Sequence, residues 1–435
     1  MLNRSFRSIL SAAAVATAAT LGATTASAQT FDGAVYVMTN EFSGNNIVAY
    51  GREANGMLTP VGVYPTGGDG AAFDGGEGLD PLISAYALYM TPNNSHVLAV
   101  NAGSNTLSVF VVNPDMSLTL TDTQPTRGTG PNSIAFYNGL IYVTNIDGDG
   151  VFNGEPDQEG SLFGFRLLAD NTLRAMPQSL RQLDNRPSCV QFTPDGRFLV
   201  IASINAGSSA LASGSNDEIV VYRVRLSGRP AGRPIASAAS TAVNNPQGRN
   251  LASAIGLDIV PGDNLNNTIV VTEAREFTAA GAPPTFPGLQ TGSVSTWNLS
   301  QRGQLTPLQL DVLAGNGITD GERTACWIEF NNSFDTFWVS NAIDSSISAY
   351  DFSNGTISLI DATVATGTPP DPSNPFGTTD GWIDLWLSDD GNFLYQLYGL
   401  DGTVGVFEVN GSSLTLIQEA SGNLPDVNTQ GIVAF

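Results

Sequence analysis

Phe337-Trp338-Val339-Ser340-Asn341 is a short apolar run that ends on a carboxamide, and the chain writes it again and again. Val35-Tyr36-Val37-Met38-Thr39-Asn40, Val97-Leu98-Ala99-Val100-Asn101 and Ile141-Tyr142-Val143-Thr144-Asn145 have the same form. Weaker copies run from Phe198 to Ser203, Ile269 to Glu273 and Phe393 to Tyr398. Runs of this length, rich in β-branched and aromatic residues and bounded by turn formers, read as strands. After each comes a second strand with an aromatic near its end, as in Ser346 to Tyr350, and then a Leu-Thr strand such as Gln304-Leu305-Thr306-Pro307. Before six of them stands a further strand: Ala85 to Met90, Asn132 to Phe136, Ser188 to Phe192, Ile255 to Ile259, Cys326 to Phe330 and Trp382 to Leu387. The first unit lacks that strand, and Gln430 to Phe435 at the end of the chain can supply it. Repetition at this period means stacked supersecondary units. The reading is an all-β, seven-bladed β-propeller with four antiparallel strands per blade, its ring closed when the C-terminal strand joins the N-terminal blade.

The phase of the repeat also predicts a working face. First-to-second connections are tight turns such as Pro194-Asp195-Gly196 and Asp389-Asp390-Gly391. Second-to-third connections are long at 146–160, 204–217 and 274–292, and connections between blades are long at 65–84, 315–323 and 367–381. Both long classes leave a propeller on one face, and elaborated loops on a rigid scaffold are where function concentrates.

Composition narrows the chemistry. The chain has 435 residues, 40 Asp+Glu against 17 Lys+Arg, and a formal net charge of −23. Every one of the basic residues is Arg, which excludes Schiff-base lysines and P-loop phosphate binding. So acidic a chain repels a phosphate backbone and an anionic bilayer, so neither nucleic acid nor membrane insertion is expected. One His and two Cys are too few for a His- or Cys-built zinc site. Arg4 and Arg7, the apolar stretch Ile9 to Leu21 and Ala26-Ser27-Ala28 read as a secretory signal over residues 1–28, leaving residues 29–435 as one exported domain, periplasmic or extracellular. A monomer is expected. Cys189 and Cys326 fall two blades apart, too far for a disulfide, and are expected as buried free thiols.

The sequence resembles the seven-bladed lactonase family, the propeller group of 6-phosphogluconolactonases and 3-carboxymuconate-lactonising enzymes. The resemblance rests on Tyr142-Val143-Thr144-Asn145, Val271-Thr272-Glu273, Asn55-Gly56-Met57-Leu58-Thr59-Pro60 and Gln191-Phe192-Thr193-Pro194-Asp195-Gly196-Arg197-Phe198-Leu199. It implies a lactone hydrolase or lactonising enzyme. Glu273 matches the family's acidic strand end, and Asp217 before Ile219-Val220-Val221-Tyr222 matches its usual Asp. The family's Pro-His-x-Val reads here Pro187-Ser188-Cys189-Val190, and its Pro-Arg-His segment reads Ala254-Ile255-Gly256.

The candidate site follows from these residues. Glu273 and Asp217 are the acid/base candidates; the bland alternatives are that Glu273 caps loop amides or pairs with Arg275, and a turn role for Asp217. Arg186 suits a substrate carboxylate held by its guanidinium fork, with Ser188, Asn145 and Asn341 as further substrate-binding candidates. Ser188 has no nearby His or Lys to activate it, so a Ser nucleophile is not expected. His96, the lone His, starts a strand on the opposite face. Asp147, Asp149 and Asn153 place oxygen ligands along an acidic loop in a manner that suits Ca²⁺, though no cofactor is required. Two functions remain open: a lactone-acting enzyme, or a non-catalytic binding propeller whose acidic face holds a metal, a carbohydrate or another protein.

Overall fold

A computed structural model describes residues 30–72, 78–146, 160–204, 219–238, 251–262, 266–277, 290–368 and 380–435, with the backbone alone at 251, 276 and 277. Within the compact unit Phe31–Phe435 the structure is all-β, a propeller-like arrangement of antiparallel sheets. The one helical turn among the described residues is the 3-10 segment Pro177–Ser179.

Four sheets have four strands each. The first pairs Ile432–Ala434, Gly33–Met38, Asn46–Arg52 and Leu58–Pro65 in that order. The others comprise Leu88–Met90 to Leu118–Pro125, Ala325–Phe330 to Thr356–Thr366, and Trp382–Leu387 to Ser413–Ser421. A fifth sheet runs from Pro131–Tyr137 through Leu140–Asn145 and Gly160–Leu167, then meets an outer edge split into Leu173–Ala175 and Arg181–Leu183. Pro177 causes the split, since it has no N–H for the ladder. Ser179 fills the gap, its hydroxyl donating to Met176 O (2.7 Å) and accepting from Gly164 N–H (2.8 Å). The last sheet joins two strand quartets, Arg186–Phe192 to Ala236–Ala238 and Leu251–Pro261 to Leu305–Leu313, through the single pair Ile204↔Ser253.

The first strands pack on one another in succession: Leu88–Met90, Pro131–Tyr137, Arg186–Phe192, Leu251–Pro261, Ala325–Phe330, Trp382–Leu387 and Ile432–Ala434, with the last also against Leu88–Met90. The chain end is well anchored. Asp384 Oδ2 accepts the Gly431 N–H (2.9 Å), Gln430 Nε2 donates to Ser84 O (2.7 Å), and Arg52 Nε donates to Phe435 O (3.0 Å).

Local sequence explains the tight turns. In Thr193-Pro194-Asp195-Gly196-Arg197-Phe198 the Thr193 hydroxyl donates to Asp195 Oδ1 (2.7 Å) and accepts the Phe198 N–H (3.1 Å). Ser388-Asp389-Asp390-Gly391-Asn392-Phe393 repeats those bonds, and Thr91 to His96 uses Asn93 in place of Asp. These are Asx and Ser/Thr turns, in which a short polar side chain replaces missing backbone partners. The two longer classes of loop meet on the other face. Asn45 in one donates its N–H to Gly68 O (2.8 Å) and its Nδ2 to Val100 O (3.0 Å).

Two strand expectations shift. The strand expected over Ala85 to Met90 is only Leu88–Met90, because Ile83 (φ 48°) and Tyr86 (φ 63°) occupy the left-handed region, which a ladder does not admit. Asn40 (φ 49°) likewise leaves Gly33–Met38 two residues shorter at its end than expected. Among the described residues the core falls into four clusters, the larger two of which include fully buried Tyr36, Tyr50, Trp338 and Tyr395. Burying each such ring contributes roughly 1.5–3 kcal/mol.

Candidate functional site

The strand-end residues singled out in the sequence share one construction. Asn101 Nδ2 donates to Thr106 Oγ1 (3.0 Å) and Ser108 Oγ (2.8 Å) on the next strand. Asn341 Nδ2 does the same toward Ser346 Oγ (3.1 Å) and Ser348 Oγ (2.8 Å), and Asn145 Nδ2 toward Ser161 Oγ (3.2 Å). Glu273 takes the equivalent place and accepts from Ser293 Oγ (2.6 Å). Each is fully buried and stitches its strand to the next. Asn145 and Asn341 therefore sit in separate sheets, inside the repeat.

Glu273 carries more. Its Oε2 also accepts from Arg275 Nη2 (2.6 Å), which reaches Asp311 Oδ1 (3.0 Å) as well. Its Oε1 has no hydrogen-bond partner among the described residues, an expensive state for a buried carboxylate oxygen. Of the buried charged side chains, Arg52 and Asp384 anchor the C-terminal strand, leaving Arg186, Glu273 and Arg275. One hydrogen-bonded row links their strands: Arg186↔Ile204, Ile204↔Ser253 and Ser253↔Ala274. The pair Ile204↔Ser253 that fuses the two quartets thus brings Arg186 and Glu273 to one edge. Ser188 is buried nearby, its hydroxyl donating to Ala254 O (2.5 Å). Asp217 and the loop residues Asp147, Asp149 and Asn153 lie outside the described residues.

A second constellation was not singled out in the sequence. Asp258, Glu329, Tyr86, Tyr89 and Trp386 come from four different first-strand regions, and each is half-buried amid buried neighbours. Tyr86, Tyr89 and Trp386 form a triangle of rings with centroids 6.3, 6.1 and 6.4 Å apart, tilted or edge-on, as ring quadrupoles prefer. The charges of Asp258 and Glu329 raise both tyrosines, and that of Asp258 raises Glu329, so these groups lie close together where the first strands pack. Burial pushes Asp258 up to about 6, held back by the Ile259 N–H that its Oδ1 accepts (2.7 Å). Burial raises Glu329 well above the usual carboxyl range, and the neighbouring Asp258 charge adds to it. The sequence signal was a lone acid inside an otherwise apolar run, Ile255 to Val260 and Cys326 to Phe330. Asp384 interrupts Trp382–Leu387 in the same way and is raised by burial to about 7, but its oxygen is committed to Gly431.

Other residues are structural. His96 is held at both nitrogens, Nδ1 by Ser95 Oγ (2.7 Å) and Nε2 by Asn171 Oδ1 (2.9 Å). Cys189 and Cys326 are buried free thiols, and burial pushes the Cys189 thiol far up.

Residues 29–162 match the family described as "Lactonase, 7-bladed beta-propeller". The chain resembles the lactonase-family β-propellers. The periplasmic gluconolactonase PpgL of Pseudomonas aeruginosa shares 16% identity over 92% of this chain and 99% of its own, with a TM-score of 0.59. A Bacteroides fragilis protein provisionally assigned as a 6-phosphogluconolactonase shares 15% over 92% and 98%, with a TM-score of 0.54. A hypothetical selenium-binding protein of Sulfolobus tokodaii shares 11% over 93% and 94%, with a TM-score of 0.59. At such identities the likeness is one of fold, and the fold serves unlike names. No curated protein matches the chain.

Proposed function

We propose that this protein hydrolyses a lactone where Asp258 and Glu329 face Tyr86, Tyr89 and Trp386. The observation that carries the reading is the pair of carboxyl groups on adjoining first strands with unequal proton affinity, the arrangement that divides acid from base. Asp258 is ionised above about pH 6, and Glu329 keeps its proton further up. Asp258 takes a proton from a water that attacks the lactone carbonyl carbon. The ring C–O bond breaks, and Glu329 gives its proton to the departing ring oxygen. Lactone and water become a hydroxy acid, and solvent returns the proton from Asp258 to Glu329. Tyr86 stands beside the pair with its backbone in the left-handed region, where strain persists only if its surroundings hold it.

The unpartnered Oε1 of Glu273 favours a second site for the same chemistry, with Glu273 as base and Arg186 holding an anionic group on the substrate. Glucono-δ-lactone and 6-phosphogluconolactone followed by pH-stat separate the two. The expected result is hydrolysis lowered about 100-fold or more in Glu329→Gln and Asp258→Asn, with Glu273→Gln near wild type. The reverse pattern moves the chemistry to Glu273, and an inactive wild type removes the enzymatic reading.

The seven-blade count, the closed ring, export after residue 28 and a monomeric state belong to the same proposal. The succession of packed first strands supports the count and the ring, and the family match beginning at residue 29 supports the boundary. The reaction needs no cofactor; Ca²⁺ at Asp147, Asp149 and Asn153 is a separate proposal that calcium titration reads.

A further inference from the structure

A groove lies between the sheets Ala325–Thr366 and Trp382–Ser421, away from both sites above. It has two chambers, of about 470 and 290 Å³, which share Thr363, Thr366 and Gly367. Volumes of this order suit a small ligand.

The first chamber is polar but nearly neutral. Arg323 is turned onto Asp344, with Nε 3.0 Å from both carboxylate oxygens and Nη2 and the backbone N–H added to the clasp. Its charge is therefore spent inside the wall. Ser346 donates its hydroxyl to Glu322 while accepting Asn341 Nδ2 (3.1 Å). Burial raises Glu322 to about 7, with the Asp344 charge adding to it. At neutral pH the chamber thus offers a carboxyl that both donates and accepts, beside the hydroxyls of Thr319, Thr363 and Thr366.

The second chamber is mixed, with the exposed Glu419 carboxylate and the Thr363 and Thr366 hydroxyls beside its apolar side chains. Leu414 and Leu416 form its rim, and Trp382, Tyr398 and Phe407 its floor, with Trp382 and Tyr398 stacked at 5.0 Å and 4°. Trp382 is 1% exposed, and its indole N–H has no acceptor among the described residues. A buried, unanswered N–H costs on the order of 1–3 kcal/mol, a cost that an acceptor on a ligand would relieve. Gly367 packs directly beside it. A Cβ at Gly367 would stand 2.7 Å from that indole nitrogen, at the junction of the chambers, and 2.3 Å from an Asp380 oxygen. The Gly367 backbone is not in the left-handed region, so space rather than conformation selects glycine there.

We propose that this groove binds a neutral sugar, its hydroxyl edge on Glu322, Ser346 and the threonines, its C–H face against Leu414, Leu416 and Val364 of the second chamber, and one oxygen accepting the Trp382 N–H. An anionic ligand is disfavoured because Arg323, the one guanidinium among the described lining residues, is already paired, and Glu419 adds a carboxylate. The site is independent of the lactone reading, since it shares no residue with the axial cluster.

The test uses the full chain with glucose, galactose and cellobiose, and glucose 6-phosphate as the charged arm, followed by calorimetry and by tryptophan fluorescence. The expected result is saturable binding of at least one neutral sugar at tens of millimolar or below, weakened about tenfold by Gly367→Val and by Ser346→Ala. Trp382→Phe keeps the ring and loses the N–H, and is expected to weaken binding about threefold with the fold retained by circular dichroism. No saturable binding of any neutral sugar, binding unchanged in Gly367→Val, or a preference for glucose 6-phosphate would each overturn the proposal. Lactone hydrolysis stays at its wild-type level in Gly367→Val, so failure here is separate from failure of the axial site.

Discussion

The sheet containing Asn101 and the sheet containing Asn341 use the same stitch and end it differently. Both carboxamides donate to two hydroxyls on the next strand. The oxygen of Asn101 is answered twice, by Thr66 Oγ1 (2.5 Å) and Asn45 Nδ2 (3.0 Å), which arrive from the neighbouring sheet's loops. The oxygen of Asn341 has no partner, and the hydroxyl beside it, Ser346, turns to Glu322 instead. Where neighbouring loops fold back onto the stitch, the repeat is sealed and serves stability. In the Asn341 sheet, Ser346 of the same stitch lines a cavity together with Glu322. Glu273 is a third ending, in which a carboxylate replaces the carboxamide and needs Arg275 to remain inside.

The largest break in this comparison comes from that third ending. Arg275→Met removes the cation shared by Glu273 and Asp311 and leaves a fully buried carboxylate without it. A loss of about 3–5 kcal/mol is expected, read as a lower urea midpoint, because the stranded charge rather than the lost pair sets the cost. Next is Asn101→Ala, which strips Thr66, Asn45 and Ser108 of their shared partner and should cost about 2–3 kcal/mol. Asn341→Ala loses two donated bonds and also removes an unanswered oxygen, so about 1 kcal/mol is expected. Equal losses at Asn101 and Asn341 would show that the two endings do not differ.

Much of this was legible in the residues, and the rest was hidden for identifiable reasons. Thr193-Pro194-Asp195-Gly196 announces its turn because every bond it makes lies within six residues. Asn145 and Asn341 end their strands as expected, but the stitch they make is not legible in the residues, since their partners Ser161 and Ser346 become neighbours only through the ladder. Asp258 and Glu329 were passed over because each looks like a blemish in an apolar strand. Only the packing of one first strand on the next turns two blemishes into a pair. The pairing of Glu273 with Arg275 was foreseen as the bland alternative; the unpartnered Oε1 was not, because it depends on what the surrounding loops fail to supply.

The smallest expected effect sharpens the open ending. Glu322 is raised to about 7 mainly by burial, with Asp344 raising it and Ser346 and Arg323 opposing; Tyr350, packed alongside, is neutral in this range. A carboxyl whose folded value lies above its unfolded one is comparatively favourable to the fold only while protonated. Below about pH 4.5 both states hold the proton and Glu322 adds no pH dependence. As pH rises from there to about 7 the unfolded chain ionises first, so wild type loses stability; above about 7 both states are ionised and the loss is constant. Glu322→Gln cannot ionise. The variant should match wild type at pH 4 and exceed it by about 1 kcal/mol at pH 8, a figure already reduced for the solvent that reaches this half-buried group. Urea midpoints for both proteins across that range read the difference. A gap that narrows with rising pH would mean that Glu322 is held as a carboxylate by Arg323, and that the Asn341 ending is as closed as the Asn101 one.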